Sequence, residues 1–508
     1  MIPVVDAPTV AILTLGCKLN QADSQALARQ LLARGCRIVD RASPAAQTGG
    51  RPPDAYVVNT CSVTHVADRK SRHLVRLARR LSPQATVVLA GCYAESAGPD
   101  LAQRLGADIV VANADKPALA ARLLAHLHGG GQGSRVALAS GFLLPPPKGG
   151  GIEVPIDAPA FSAIRRGGVR MADRRGPGTN PSTIAPADAL RTRAFVKIQE
   201  GCNEVCAFCI VPRTRGRERS VPVADVVAQV RARHQEGAKE VVLTGTQLGN
   251  YGHDLGLTDG PRYLLAALLA HPDLSGPRLR LSSLQAQDIN EDLLRLWQDR
   301  RLCRHFHLPL QSGSDRILAA MRRRYSVDQY RRALALIREH VPDVAVTTDV
   351  IVGFPGESED DFQRTYHLCQ ELGFAAVHVF PYSRRPGTAA SLLKEQVPAA
   401  IKRQRLERML ALAHTSAAAF RARFRGRTLA VLWEEARAVP ERSEEPALSL
   451  VEGQPLWRGL TDNYLRVYTC AEHGSPLAPG PQPDLTNRLL PARLGDAFGD
   501  GLWADLAN

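Results

Sequence analysis

The chain reads as an α/β protein in three parts: an N-terminal doubly wound parallel sheet, a central partial (βα)6 barrel and a C-terminal small all-β barrel. Three observations predict this. Strand and helix patterns alternate in two series, one ending near residue 127 and one starting near 191. A stretch rich in Gly and Pro, residues 128–190, separates them. After about residue 424 helical spacing gives way to short β-type runs. Alternating strands and helices make parallel sheets, because parallel neighbours need a crossover between them.

In the first segment, residues 8–127, Val10–Leu15, Ala55–Val58, Thr86–Ala90 and Asp108–Ala112 are apolar runs of strand length. Gln25–Leu32 and stretches near 67–81 and 100–105 have helical spacing. Gly129–Gly133, Pro145–Pro147 and Gly176–Gly178 mark 128–190 as a linker or insertion, expected to be partly disordered. Six strand candidates follow within 191–423, at 194–199, 240–244, 278–284, 305–310, 344–352 and 375–380. Functional residues of such a barrel belong at the carboxyl ends of its strands. Within 424–495, the runs 429–433, 464–468 and 489–494 suggest the small barrel, interrupted by an acidic insert at 434–452.

A chain of 508 residues holds about three domains and has ample apolar content for cores. It lacks an 18-residue apolar run and a basic, apolar leader, so a cytoplasmic protein away from the membrane is expected. The net charge is +14 and unevenly placed: residues 69–80 carry six Arg or Lys and no acid. Concentrated arginine fits a polyanionic partner, most simply nucleic acid. Residues 424–490 instead carry seven Arg against nine Asp or Glu, so the C-terminal module is not basic.

Ten cysteines in such a chain argue for metal binding or catalysis over disulfides. Cys202, Cys206 and Cys209 fall within eight residues, on a loop leaving the barrel's first strand. Three thiolates can hold a four-iron cluster at three corners, leaving one iron open. The spacing does not suit zinc, which favours pairs closing a four-ligand site. Cys17, Cys61 and Cys92 end three strands of the first segment, after Leu15-Gly16, Asn59-Thr60 and Ala90-Gly91. Ligands of open parallel sheets bind at carboxyl ends, so these three converge on one edge and suggest a second cluster. Cys36, Cys303, Cys369 and Cys470 lack this context and read as ordinary residues.

The C-x-x-x-C-x-x-C spacing, with Phe208 before the last cysteine, resembles the signature of the radical S-adenosylmethionine (SAM) superfamily. Both trios together, with Thr14–Asn20, Asn59–Thr64, Ala90–Tyr93, Arg215–Ser220, His307–Ser314 and Asp349–Glu357, resemble the methylthiotransferase family over nearly the whole chain. The terminal module looks like that family's RNA-binding TRAM barrel. The resemblance implies two 4Fe-4S clusters, SAM, a tRNA substrate, a low-potential electron donor of flavodoxin or ferredoxin type, and a monomer. It also implies the reaction: one SAM methylates sulfur on the N-terminal cluster, and another yields the 5′-deoxyadenosyl radical that activates a C–H bond.

Thr14–Gln21 and Leu243–Gly252 look most like the subgroup acting on N6-threonylcarbamoyladenosine at tRNA position 37. Subgroups acting on isopentenyladenosine or on a ribosomal protein aspartate are alternatives, and an iron–sulfur or zinc scaffold that binds tRNA is the non-enzyme one. By the same resemblance Phe208, Gly245, Ser283, Gln285, Val352, Gly353 and Pro355 are expected around SAM, with no single catalytic residue assigned. Arg213, Arg215 and Arg219 are candidates for the substrate's carboxylate. Gln285-Ala286 replaces the family's usual Glu-Pro, and Phe208 its commoner tyrosine; an amide still offers the ribose an acceptor.

Overall fold

The computed structural model describes residues 7–39, 51–96, 104–129, 182–183, 192–438, 455–470 and 484–507. Almost all of the 128–190 stretch, residues up to 103 of the expected helix near 100–105, and 439–452 of the acidic insert lie outside the described residues.

β1 (Thr9–Thr14), β3 (Ala55–Thr60) and β4 (Thr86–Gly91) are buried at every position, as a parallel sheet covered on both faces requires. With β2 (Arg37–Val39) and β5 (Ile109–Val111) they run parallel in the order 2-1-3-4-5. β6 (Ser182–Thr183) pairs antiparallel with β1. α1 (Lys18–Leu32), α2 (His65–Leu81) and α3 (Leu119–His128) are the longer helices among the described residues of this domain. The strand order reverses direction between β1 and β3, which opens a crevice at their carboxyl ends. Cys17 and Cys61 stand there.

In the second domain β7 (Arg193–Lys197), β10 (Glu240–Thr244) and β11 (Arg278–Leu281) form one parallel group. β12 (His305–His307), β13 (Ala345–Val352) and β14 (Ala376–Pro381) form the other. The groups meet through the Leu284 N–H, which donates to the His307 carbonyl at 3.0 Å, and the Leu279–Leu302 bridge. Six parallel strands thus curve into a partial barrel. Between β7 and β10, β8 (Gln199–Glu200) pairs antiparallel with β9 (Arg219–Ser220) and pins both ends of the cysteine loop. α4 (Val223–Gln235), α5 (Gly260–Ala270), α6 (Val327–His340), α7 (Glu359–Leu372) and α8 (Ala399–Ala422) are the longer helices of this domain. Capping boxes at Ser326/Gln329 and Ser358/Asp361 start two of them.

The third domain is a closed barrel in the order β15-β16-β17-β19-β18. Its strands are β15 (Thr428–Ala438), β16 (Pro455–Thr461), β17 (Arg466–Thr469), β18 (Leu489–Phe498) and β19 (Gly501–Leu506), packed around the fully buried Trp433. β16 and β19 extend the three runs visible in the sequence, and β19 lies beyond residue 495. Glu434 and Glu435 of the expected insert belong to β15 itself. This barrel sits at the amino ends of the central strands: Arg278 and Arg280 donate to the carbonyls of Leu460, Thr461 and Asp462. The carboxyl ends are left to the cysteines.

Candidate active site

Cys61 and Cys92 follow directly on β3 and β4, and Cys17 stands three residues after β1, so the topology brings them to one edge. Gly16 has φ +110°, and a Cβ there would stand 2.7 Å from Cys61 Cβ and 3.0 Å from its sulfur. The close approach of the two loops therefore requires glycine. Asn20 ties the loops together, donating from Nδ2 to the Leu15 carbonyl at 2.7 Å and the Thr60 carbonyl at 2.9 Å. Asn59 Nδ2 donates to the Asn20 carbonyl and Ser24 Oγ, each at 2.9 Å. Cys61 and Cys92 are buried and Cys17 is exposed. Burial, then the neighbouring Cys92 and Cys17 sulfurs, push the Cys61 thiol up to about 12.

The second loop is held just as closely. Gly201 has φ +76°, and an added Cβ would lie 1.9 Å from the Arg217 carbonyl oxygen. The Cys202 N–H donates to the Gly216 carbonyl, Cys209 to Cys206, and Ala207 to Met321. Around the sulfurs, the Glu204 N–H lies 3.4 Å from Cys202 Sγ and Arg323 Nη1 3.4 Å from Cys206 Sγ. Burial raises Cys202 to about 11 and Cys209 to about 12.

These sites fit iron–sulfur clusters. Each trio holds at least one thiol whose ionisation burial disfavours, Cys61 in the first and Cys202 and Cys209 in the second, and a cationic centre would supply the compensation. One zinc holds sulfur at about 2.3 Å, which limits its ligands to a separation of about 4.6 Å. Among the described residues the three-residue set whose ligand atoms lie mutually within 4.8 Å is His307, Asp349 and His378, and neither cysteine trio closes so tightly. The wider spread suits the corners of a cluster.

The residues expected around SAM all lie at carboxyl ends of barrel strands: Gly245 after β10, Ser283 and Gln285 after β11, and Val352, Gly353 and Pro355 at the end of β13. Phe208 packs with Ala207, Phe354 and Tyr382. Gln285 is already engaged: Oε1 accepts from Arg323 Nη2 at 2.6 Å and Nε2 donates to Glu204 at 3.2 Å. The structure does not gather the three candidate arginines. Arg213 and Arg219 are exposed, the first lying against Gly387. Arg215 is buried and committed to other groups.

Sequence reasoning missed what Arg215 does. Its Nη1 donates to Glu200 at 2.5 Å and lies 3.6 Å from Asp23, and its Nη2 donates to Asn20 Oδ1 at 2.5 Å. Burial works against its charge, but Cys92, Asp23, Cys17 and Glu200 hold its guanidinium protonated. It therefore links the first trio to the barrel loop that carries the second. Lys116 and Lys197 also meet Asp23, at 2.7 and 2.8 Å. Arg385, from the loop after β14, donates to Asp68 at 2.6 Å and Ser62 at 2.7 Å on the first domain. Asp23 lies two turns after a cysteine in the sequence, but nothing local there points to its partners on other elements.

Comparison with known proteins matches residues 196–369 to the Radical SAM superfamily and residues 9–112 to Uncharacterized protein family UPF0004. The chain is 33% identical to the threonylcarbamoyladenosine tRNA methylthiotransferase of Bacillus subtilis, over 90% of each chain. It is 37% identical to the protein of that name in Aquifex aeolicus, over 85% of this chain and 94% of that one. It is also 33% identical to the tRNA-2-methylthio-N(6)-dimethylallyladenosine synthase of Thermobifida fusca, over 84% and 78%. Among solved structures, the radical SAM methyltransferase TsrM of Kitasatospora setae shares the fold, with a TM-score of 0.52, 17% identity and coverage of 76% and 77%. With both cysteine trios in place and relatives at 33–37% identity matching 85–90% of its length, the chain belongs to the methylthiotransferase family of radical SAM enzymes.

Proposed function

We propose that this enzyme installs a methylthio group on carbon 2 of N6-threonylcarbamoyladenosine at tRNA position 37, using two 4Fe-4S clusters and SAM. The observation that carries the reading is the match, over 85–90% of the chain, to relatives named for that substrate, combined with two cysteine trios whose loops Arg215 ties together through Asn20 and Glu200. Cys202, Cys206 and Cys209 would hold one cluster and Cys17, Cys61 and Cys92 the other. With SAM these groups supply a carbon radical and a methylated sulfur, which an unactivated C–H bond requires because acid–base chemistry has no handle on it. The chain's own part is positioning and exclusion of water. Gly201 and the β8–β9 pair fix one loop; Gly16, Asn20 and Asn59 fix the other. Arg215, Asp23 and Arg385 hold the two domains in register.

RNA binding is supported by α2, whose Arg69, Arg72, His73, Arg76, Arg79 and Arg80 line a common surface hollow. Arg69, His73, Arg76 and Arg80 recur at helical spacing and are exposed. A second reading, isopentenyladenosine as substrate, is favoured by the 33% match to the dimethylallyladenosine enzyme. Anaerobic reconstitution tests the two-cluster reading: about eight irons per chain with SAM-dependent methylthiolation of threonylcarbamoyl-containing tRNA supports it. About four irons, or zinc in their place, refutes it.

A further inference from the structure

The barrel interior holds a polar cluster outside both trios. His307 from β12, Asp349 from β13 and His378 from β14 bring ligand atoms within 4.8 Å of one another, and all three keep partial solvent access. His307 is held in place, with Nε2 3.3 Å from Asp349 Oδ2 and Nδ1 2.9 Å from Thr347 Oγ1. His378 has no hydrogen-bond partner among the described residues; its ring faces that of His307 at 5.8 Å.

Lys18 enters this space from the other domain. It follows Cys17, and its ammonium donates to the Ser282 carbonyl at 3.4 Å and lies 5.8 Å from the Tyr464 ring. That ring stacks on His305 at 4.0 Å, and His305 Nε2 and His307 Nδ1 both meet Thr347 Oγ1, so Lys18 stands on the same inner face as the cluster. Most other interior cations are committed to carboxylates: Arg278 and Arg280 to Glu240, Arg193 to Glu434, Lys197 to Asp23 and Glu200, and Arg215 to Glu200; Arg323, at the second trio, instead donates to Gln285 Oε1 and Cys206 Sγ. Among the described residues no carboxylate lies within ion-pair distance of Lys18.

An ammonium without a carboxylate partner and an unpartnered imidazole, both partly buried on one inner face of the barrel, offer a seat for an anion. A divalent cation would find ligand types it accepts in His307, Asp349 and His378, but the Lys18 charge opposes it. The threonylcarbamoyl group ends in a carboxylate and a hydroxyl. Resting on the substrate reading above, we propose that Lys18 and His378 seat that carboxylate, while Asp349 accepts from the hydroxyl. Recognition of the modified base would then lie in the barrel interior and not with Arg213, Arg215 or Arg219.

The test uses anaerobically reconstituted full-length protein and anticodon stem-loops carrying threonylcarbamoyladenosine, its carboxamide analogue, or adenosine at position 37, with Kd read by fluorescence anisotropy. Wild type is expected to prefer the carboxylate over the carboxamide by about ten- to hundredfold, the strength of a charge-assisted contact. Lys18→Gln should abolish that ratio, Lys18→Arg should retain it, and His378→Leu, which leaves both cysteine loops untouched, should lower it. Because the ratio compares RNAs on one preparation, incomplete cluster loading cancels. A Lys18→Gln protein with the wild-type ratio overturns the proposal and leaves the substrate reading standing. A wild type that does not distinguish threonylcarbamoyladenosine from adenosine overturns the substrate reading as well. Stoichiometric divalent metal beyond the cluster iron, lost in His378→Leu, would show a metal site there instead.

Discussion

Each cysteine trio depends on a few side chains that hold its sulfurs in place, and Arg215 serves both. It contacts Glu200 beside one loop and Asn20 beside the other, and it is buried. Removing it leaves Glu200, Asp23 and Asn20 short of a charge partner in a dry interface. Arg215→Ala is expected to cost about 3–5 kcal/mol, measured by denaturant unfolding, and a loss under 1 kcal/mol would contradict the linking role. Cys61→Ala and Cys202→Ala should each drop iron from about eight to about four per chain, read by iron assay and visible absorption. Full iron in either variant would count against its trio as a cluster site. The cysteines themselves were legible in the sequence because their chemistry is local and their spacing unusual. Arg215 was legible only as a basic residue. Its partners lie 15 and 195 positions away, and folding alone brings them together. The same holds for Lys18, whose carbonyl partner is 264 residues distant.

Among the elements, β10 and β11 carry the clearest energetic signature. Glu240 is fully buried at the start of β10, with Oε1 2.7 Å from Arg280 Nε and Oε2 2.8 Å from Arg278 Nη2. Burial alone would raise its carboxyl; Arg280 and Arg278 overcome this and hold it well below the ordinary value of 4.5. A carboxyl whose folded value is depressed contributes stability above its unfolded value and loses it as pH falls through the folded one. Glu240→Gln should therefore destabilise by about 3–5 kcal/mol at neutral pH, with the deficit shrinking as the medium is acidified below about pH 4. Melting curves across pH check this, and a deficit that grows in acid would contradict it. On α2, replacing Arg69, Arg76 and Arg80 by Ala should leave iron content unchanged. The slope of log K against log salt for tRNA should fall by two to three, at about 0.9 per phosphate contact. An unchanged slope would move the RNA elsewhere. The long buried strands β1, β3, β4, β10 and β13 were visible in the sequence as apolar runs. β2 has three residues, and β16 and β19 mix polar with apolar positions, so their pairing with neighbours defines them more than their composition does.

Across the whole molecule, three domains divide the work by position on the central barrel. The C-terminal barrel covers the amino ends of the strands through Arg278, Arg280 and Arg304, the last donating to Asp462 at 2.6 Å. The N-terminal domain meets the carboxyl ends through Asp23 and Asp68, and runs along β7 to its amino end, where Gln25 bonds Arg193 and Phe195. Lys18, next to Cys17, is thereby brought to the Ser282 carbonyl and into the space inside the barrel. The order of domains was readable from alternation and composition, whereas their docking was not, since it rests on isolated charged pairs without a local pattern. The central claim is that this space serves threonylcarbamoyladenosine. Nucleoside mass spectrometry of tRNA from a strain lacking the gene tests it most directly. The expected result is that 2-methylthio-threonylcarbamoyladenosine disappears while its unthiolated precursor accumulates and methylthio-isopentenyladenosine stays constant. Unchanged 2-methylthio-threonylcarbamoyladenosine, or loss of the isopentenyl product in its place, would contradict it.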